Sequence, residues 1–530
     1  MNILKIIFTV LIIFSSSFSF SQQFETIKIS KLKKCYETSI AWVKNKSVCL
    51  QSETANNDRD RFTHNFLLYD SLGALMSSKK IKTGISFFHP YSLRLNNSIV
   101  FFYDKKDDYG LHTLNISTIL TDSLKFKKGM RGIFKIKASQ EGENIDKDDY
   151  TFNVIKSVSG NKALLTYTND YKSGSPEKIR FRIIDENHNL SIEDTLVLPY
   201  EHKKCSILET IYDDIDSSIY IIGNLFSSNR KKDKEFGRTF LVKYKISNYQ
   251  FISFIDPIPA LNNFIIQWRV TNSELILSGL HVNSYDTTGW SSLMLVIDKQ
   301  SLKIKNRITS ELQPSISKKF RSTNKKVNSD YIAPWNIIID GKGAYHSLWV
   351  YYGGLDNAFQ TEKEKNKLLM VATLLNLPGV LMMLPLQIAY TSGMNEATAL
   401  LWIVNSGDSL VEKCIISHLN KYSGCFNAFS ALSINDRIYC IYNNSPDPKH
   451  ESIVSTFNYY EKSELKNDTI IPALFPKNIF LYPWSEYSSG DSKYYIGQSL
   501  PDPKHNIHKK NRAHESYIIR INKDKLINDQ

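Results

Sequence analysis

Three imidazoles crowd one stretch near the C-terminus. His505, His508 and His514 fall within HNIHKKNRAH, and His450 stands at the matching place 55 residues before His505. Imidazole nitrogen suits zinc, copper or iron. Lys504, Lys509, Lys510 and Arg512 surround these rings and would repel a cation, and no carboxylate is patterned with them; the expectation is no metal site. Asp104-Lys105-Lys106-Asp107-Asp108 and Asp213-Asp214-Ile215-Asp216 offer oxygen ligands to calcium, but neither has EF-hand spacing, and turn solvation explains them as well. The sequence holds no GxSxG, no HExxH and no glycine-rich phosphate loop, so no catalytic residue is named and no cofactor is implied. Glycoside hydrolysis needs two carboxylates that meet in space, and no local motif brings a pair together.

Aromatic residues are the other group with a recurring place. Trp42, Tyr91, Trp268, Trp335 and Trp484 each precede an apolar run by 5 to 10 residues. Three follow a proline, in His89-Pro90-Tyr91, Ala333-Pro334-Trp335 and Tyr482-Pro483-Trp484. Such rings either fill wedges between sheets, each burying a large apolar area, or form platforms around a ligand. A second recurrence lies in Asp436 to His450 (DRIYCIYNNSPDPKH) and Asp491 to His505 (DSKYYIGQSLPDPKH), which share the leading Asp, Tyr439 and Tyr494, and PDPKH. The prolines lack donors and fix φ, so the ladder is expected to stop there and project His450 and His505 at matched positions. The candidate ligand-binding residues are therefore Trp42, Tyr91, Trp268, Trp335, Trp484, His450 and His505.

The elements that must position them are strands. Ser47 to Gln51 (SVCLQ), Ile99 to Tyr103 (IVFFY), Ala163 to Tyr167 (ALLTY), Ile219 to Gly223 (IYIIG) and Leu275 to Gly279 (LILSG) are short runs rich in β-branched and aromatic residues. Tyr345 to Tyr351, Ile438 to Tyr442 and Tyr494 to Gly497 continue the series. Each run is followed by a polar gap and a strand–turn–strand pattern, such as FLLYDSLGALMSSKKI from Phe66 or YIIRINKDKLIND from Tyr517. A further unit is blurred between Leu381 and Ile416, giving eight or nine. Repeats of this length mark stacked β units. The expected fold is all-β: a β-propeller of seven or eight four-stranded antiparallel blades, which solves the edge problem by radial repetition. The alternative is tandem β-sandwiches.

On these runs and repeats, the whole mature chain resembles secreted bacterial β-propeller repeat proteins. The glycine doublet of kelch repeats occurs once, at Gly353-Gly354, the Trp-Asp pair of WD repeats is absent, and Ser284 to Trp290 (SYDTTGW) departs from a sialidase Asp box. Propellers carry function on loops at one face. The long loops expected on that face are Gln51 to Asn65, Thr168 to Lys178, Phe226 to Arg238, His281 to Ser291, Tyr352 to Asn366 and Ser499 to Glu515.

Met1 to Ser21 has one cation, Lys5, an apolar run from Ile6 to Phe14, and Ser19-Phe20-Ser21 as a small-x-small cleavage site, the pattern of a secretory signal peptide. The expected organisation is a signal peptide over 1–21 and a single propeller domain over 22–530, secreted or periplasmic, with no membrane span. The formal charge of +13 falls to +12 on removal of Lys5. Lys125 to Lys137 and Lys318 to Lys326 are basic runs without an acid, read as segments between units. An exported chain without a nucleic-acid motif points away from DNA and RNA. Six cysteines permit disulfides in that compartment; the preferred pairs are Cys35 with Cys49 and Cys425 with Cys440. The functional expectation is a binding module for a carbohydrate or an extracellular or surface protein, leaning away from an enzyme. The alternatives are a carbohydrate-active hydrolase or lyase and an interaction scaffold. Cleavage is checked by mass spectrometry of protein recovered from the periplasm or medium, whose N-terminus should lie near Gln22.

Overall fold

The computed structural model describes residues 24–29, 38–43, 46–55, 58–83, 92–95, 98–106, 111–120, 126–137, 152–168, 174–185, 189–227, 238–247, 250–256, 265–282, 290–312, 332–352, 398–406, 409–417, 429–434, 437–447, 452–461, 464–469, 479–489, 492–499 and 516–522. They form eight four-stranded antiparallel sheets. Seven are simple meanders of four successive strands, over 38–83, 92–137, 152–201, 205–256, 265–311, 332–417 and 429–469. The eighth takes three strands from 479–522 and its fourth from the other end of the chain. Phe24–Ile29 pairs antiparallel with Ser516–Asn522, Phe24 opposite Ile521 and Ile29 opposite Ser516.

Every apolar run singled out in the sequence is the second strand of its sheet, from Lys46–Ala55 in the first to Ser492–Ser499 in the eighth. The physical reason is burial on both faces. In the fourth sheet the second strand, Ser218–Leu225, is buried at every residue but the last. Outer strands alternate instead: Asp194–Glu201, fourth in the third sheet, buries Leu196 and Leu198 and exposes Thr195, Val197 and Pro199. A two-sheet sandwich leaves one face of each sheet in water, so its strands would alternate throughout. Here the sheets stack in series. The fourth packs on the third through Tyr212, Ile219, Ile221, Phe240 and their partners Leu164 and Phe181. Its other face, with Tyr220, Ile222 and Leu241, packs on Leu275, Leu277 and Leu293 of the fifth. Ile276 and Val296 continue to Ile337 of the sixth, and Leu348 and Trp402 of the sixth continue to Ile438 and Cys440 of the seventh. Leu95, Val100 and Ile116 join the second sheet to the third. First strands of the seventh and eighth sheets touch, as do those of the eighth and first.

Several expectations are corrected. In the blurred unit between Leu381 and Ile416, the described strands Thr398–Ser406 and Ser409–Ser417 are the outer half of the sixth sheet rather than a sheet of their own. The segment from Gln51 to Asn65 is not a long loop, because the strands Lys46–Ala55 and Asp58–Tyr69 run through it. The basic run from Lys125 is not a linker; Phe126–Lys137 is the outer strand of the second sheet. The ladder does not end at Pro446. It skips from Asn444 to Asp447, which pairs Ser452, so the proline is accommodated as a bulge. The Asp436 and Asp491 copies do supply second strands of consecutive sheets.

Side chains at the short-turn end stitch neighbouring sheets together. Asp213, at the end of the fourth sheet's first strand, forms an ion pair with Lys299 in the hairpin turn of the fifth sheet, both groups fully out of water. Lys299 Nζ also donates to the Thr271 carbonyl at 3.0 Å, and its own carbonyl accepts from Lys243 Nζ at 2.8 Å. Lys243 in turn holds Asp216 Oδ2 at 3.0 Å. At the first sheet, Gly73 has φ +83°, and a Cβ there would lie 2.1 Å from the carbonyl of Lys28 in the strand that completes the eighth sheet.

Breaking a buried pair by removing one partner strands a charge and costs about 3–5 kcal/mol. Lys299→Met alone should lose about that much in urea unfolding, whereas Lys299→Met with Asp213→Asn should recover most of it. Gly73→Ala should lower the melting temperature and increase protease cleavage within 24–29, since the left-handed backbone alone costs about 1–2 kcal/mol.

Candidate functional site

Four of the five aromatic candidates lie on first strands. Trp42 lies in Thr38–Val43, Trp268 in Ile265–Val270, Trp335 in Ile332–Ile339 and Trp484 in Ile479–Ser489, each the first strand of its sheet. Three first strands break register, in the fourth, sixth and eighth sheets, and each break falls at a large apolar residue. In Cys205–Asp213 the pairing passes from Ile207 to Glu209, leaving Leu208 out of the ladder. In the sixth sheet it passes from Pro334 to Asn336, leaving out Trp335. In the eighth it passes from Tyr482 to Tyr487, and Trp484 lies in the skipped segment. Pro334 and Pro483, which cannot donate to a ladder, adjoin two of these breaks. Bulges turn side chains out of the pleat and concentrate beside functional sites. Leu208 is accordingly exposed on a strand whose neighbours are largely covered.

The fifth sheet, between two bulged neighbours, contributes Trp268. Its ring packs against the core shared with the fourth sheet, and its indole N–H donates to the Glu209 carboxylate beside the Leu208 bulge. Burial pushes the Glu209 carboxyl up from its ordinary value, against hydrogen bonds from Thr210 N and Trp268 that favour the anion. Few other carboxylates occur on first strands. Asp213 is committed to Lys299, and Glu486 lies in the skipped segment of the eighth sheet. Gln267, next to Trp268, is buried.

At the long-loop end, titratable groups meet at the crossover from the third sheet to the fourth, where Glu201 pairs with Lys203 and Lys204. Glu177, buried at the start of the third strand of the third sheet, meets Nδ1 of His202 in the single turn of 3-10 helix that leads to the fourth sheet. His202 N donates to Ser175 O at 3.0 Å, and Phe226 N to Lys204 O at 2.8 Å, so the crossover is tied on both sides.

A second buried histidine has a more defined state. His346, on the sixth sheet's second strand, lies wholly out of water between Asp340 and Trp402. Trp402 Nε1 can only donate, and it reaches His346 Nδ1 at 3.1 Å; Nε2 therefore carries the proton and donates to Asp340 Oδ2 at 3.1 Å. Asp340 also accepts from Lys342 N and Ala344 N at 2.9 and 2.8 Å. Desolvation lowers the His346 pKa despite the opposing pull of Asp340. Asp340 is itself lowered: burial opposes this, but its hydrogen bonds from His346, Ala344 and Lys342 outweigh it. No sequence motif announced this chain of three residues, which are brought together by a turn and a third strand 56 residues later.

Other candidates fare differently. Tyr91, His450, His505, His508, His514, Cys35 and Cys425 lie outside the described residues. Cys49 sits in the first sheet's second strand opposite Ile40 and Leu67. Cys440 is corrected: it is a free thiol, fully buried in the core between the sixth and seventh sheets, and that burial drives its pKa upward. Asp213 to Asp216 do not form a calcium loop. Lysines occupy Asp213 and Asp216, and Asp214 accepts Ser159 N at 3.0 Å from the third sheet. Among the described residues no group of three or more His, Cys, Asp or Glu is placed to hold a metal.

No protein-family model matches the chain, and no curated protein does. Solved structures that it resembles include the β-propeller domain of the trilobed protease from Pyrococcus furiosus, at 8% identity and TM-score 0.33 over 81% of this chain and 97% of that one. The acylaminoacyl peptidase of Pyrococcus horikoshii aligns at 9% identity and TM-score 0.33, over 90% of this chain and 61% of that one. A Synechocystis apocarotenoid oxygenase aligns at 11% identity and TM-score 0.30, over 54% and 63%. Superpositions this loose identify no relative and assign no activity.

The His346 geometry sets a pH dependence. A histidine whose folded pKa lies below its unfolded value of about 6.5 contributes stability that is whole above that value and is lost as pH falls toward the folded pKa. Melting temperature should therefore drop on acidification from pH 7 through 5. His346→Gln should flatten that slope, and Trp402→Phe, which leaves Nδ1 without its donor, should cost about 1–3 kcal/mol at pH 7.

Proposed function

We propose that this chain is an exported eight-bladed β-propeller that binds a carbohydrate or an extracellular protein where its first strands meet, without catalysing a reaction. Stacking in series, with the eighth sheet touching both the seventh and the first, supports a closed ring. In such a ring the first strands line the central channel. The observation that carries the binding reading is the set of three bulged first strands, in the fourth, sixth and eighth sheets, whose residues skipped in the pairing include Leu208, Trp335 and Trp484. Aromatic and apolar groups released from a ladder are suited to stacking on a sugar ring or seating a partner's side chain. The scarcity of carboxylates on the same strands disfavours hydrolysis by a pair of acids. Glu209, raised by burial and hydrogen-bonded to Trp268, is the acid on which the enzyme alternative would depend.

Titrating tryptophan fluorescence of the mature chain with a panel of neutral polysaccharides should find a binder. Trp335→Ala should weaken it at least about tenfold, the scale of one lost aromatic contact, with little change in melting temperature. Release of new reducing ends during incubation, abolished by Glu209→Gln, would instead establish the hydrolase.

A further inference from the structure

The outer strands divide the molecule's charge unevenly. In the first sheet the outer strand Leu75–Thr83 carries Lys79, Lys80 and Lys82 and no acid. In the second sheet Phe126–Lys137 carries Lys127, Lys128, Arg131, Lys135 and Lys137, again with no acid. Of the other six outer strands only Ile304–Glu311 is positive, by a single charge. Asp194–Glu201, Gln250–Asp256 and Glu464–Thr469 are negative, while Ser409–Ser417 and Phe24–Ile29 are neutral. Together Leu75–Thr83 and Phe126–Lys137, on sheets that are consecutive in the chain, carry eight Lys and Arg residues and no acid.

Lysine on an edge strand commonly guards against edge-to-edge pairing. That need applies equally to all eight edges, and six are left neutral, acidic or barely positive, so edge protection does not account for the concentration. Residues two apart on a strand lie about 6.8 Å apart on one face, which places Lys80 and Lys82 as one such pair and Lys135 and Lys137 as another. Lys80 is exposed. A surface of like charges along a strand is complemented by a linear polymer of the opposite sign, such as one carrying an anion on every sugar or every second sugar. Single-sign fields of this kind raise the local concentration and the association rate of an oppositely charged partner.

We propose that the rim of the first and second sheets binds an acidic polysaccharide, at a surface separate from the first strands. The inference rests on the ring reading only in taking consecutive sheets as neighbours. It is tested on the full mature chain with a polyuronate and a sulfated glycan as probes, measured by calorimetry at 50 and 200 mM salt. Anionic phospholipid vesicles and the neutral polysaccharides serve as comparison ligands. The rim variant joins Lys80→Glu, Lys82→Glu, Lys127→Glu and Lys128→Glu. The control variant removes charge from another outer strand by Lys305→Glu and Arg307→Glu. Charge reversal keeps the edges charged, so a rim variant that stays monomeric separates binding from edge protection.

The expected result is binding that weakens steeply with salt, falls at least about tenfold in the rim variant, and changes less than about twofold in the control. Equal losses in both variants would reduce the effect to net charge and overturn the proposal. Stronger binding to vesicles than to either glycan would overturn it in favour of a membrane surface, and aggregation of the rim variant would return the lysines to edge protection. Trp335→Ala leaves the rim intact, so acidic-glycan binding that survives this substitution while neutral-glycan binding is lost would separate the two sites. Failure of the neutral titration alone leaves the rim result standing.

Discussion

The organisation of this chain follows from burial of its inner strands on both faces. A strand with water on one side alternates polar and apolar residues; Ser218–Leu225 does not, because the third and fifth sheets cover its two sides. Once each sheet must be covered twice, pairs of sheets cannot satisfy the chain, and a series of sheets has the same problem at its two ends. The first strand of the eighth sheet touches that of the first. The sequence-distant pairing of Phe24–Ile29 with Ser516–Asn522 then supplies the last sheet with the outer strand it lacks. Hydrophobic area is what stabilises the arrangement, at roughly 25 cal/mol per Å² buried, and the sheets differ mainly in what they place at their rims and ends.

The two ends of the sheets are built on different chemistry. Short turns at one end are tied across sheets by groups with little freedom. Lys299 reaches from the fifth sheet to Asp213 of the fourth, and Asp214 accepts from Ser159 of the third. Arg269 donates to the Ile337 carbonyl of the sixth at 2.8 Å. Buried charge is costly to leave alone, so these contacts favour one relative placement of neighbouring sheets and disfavour sliding. The opposite end carries the longer connections, where a rigid scaffold ordinarily displays its variable and functional segments. The bulges of the first strands lie between these two regimes, on backbone that the sheets hold but that is released locally from pairing.

Much of this was legible from residue types alone, and the reasons differ by element. Second strands were recoverable because double-sided burial writes an unbroken apolar run, as in IYIIG or LILSG. First-strand tryptophans were recoverable by their recurring place shortly before those runs. The outer half of the sixth sheet was misplaced because 353–397 intervene between its second and third strands, so spacing no longer reported sheet membership. Phe126–Lys137 was taken for a linker because five cations mask its alternation, and an outer strand needs only one apolar face. Cys425 and Cys440 flank what the sequence presents as an adjacent strand pair, which suggests a bridge, whereas the Cys440 side chain belongs to a core shared with Trp402 and Leu348. Asp340, His346 and Trp402 could not be linked in advance, since each is ordinary by itself and only the strand register assembles them. The bulges at Leu208 and Trp335 are likewise consequences of register, although the prolines before Trp335 and Trp484 were a local signal that pairing would falter there.

The strand at the start of the chain has an awkward position in time. Phe24–Ile29 cannot take its place until Ser516–Asn522 exists, although it is made almost five hundred residues earlier. At 5–20 residues per second, that interval is about 25–100 s. Throughout it a six-residue segment with alternating Phe24, Thr26 and Lys28 against Glu25, Ile27 and Ile29 has both edges open, the condition in which strands find wrong partners. Contacts this distant also arrive late because the intervening chain must be ordered before they are rewarded. The first of the described strands to be synthesised is therefore the last of them that the fold can place, and whatever keeps it unpaired meanwhile acts on the yield of folded protein rather than on its final stability.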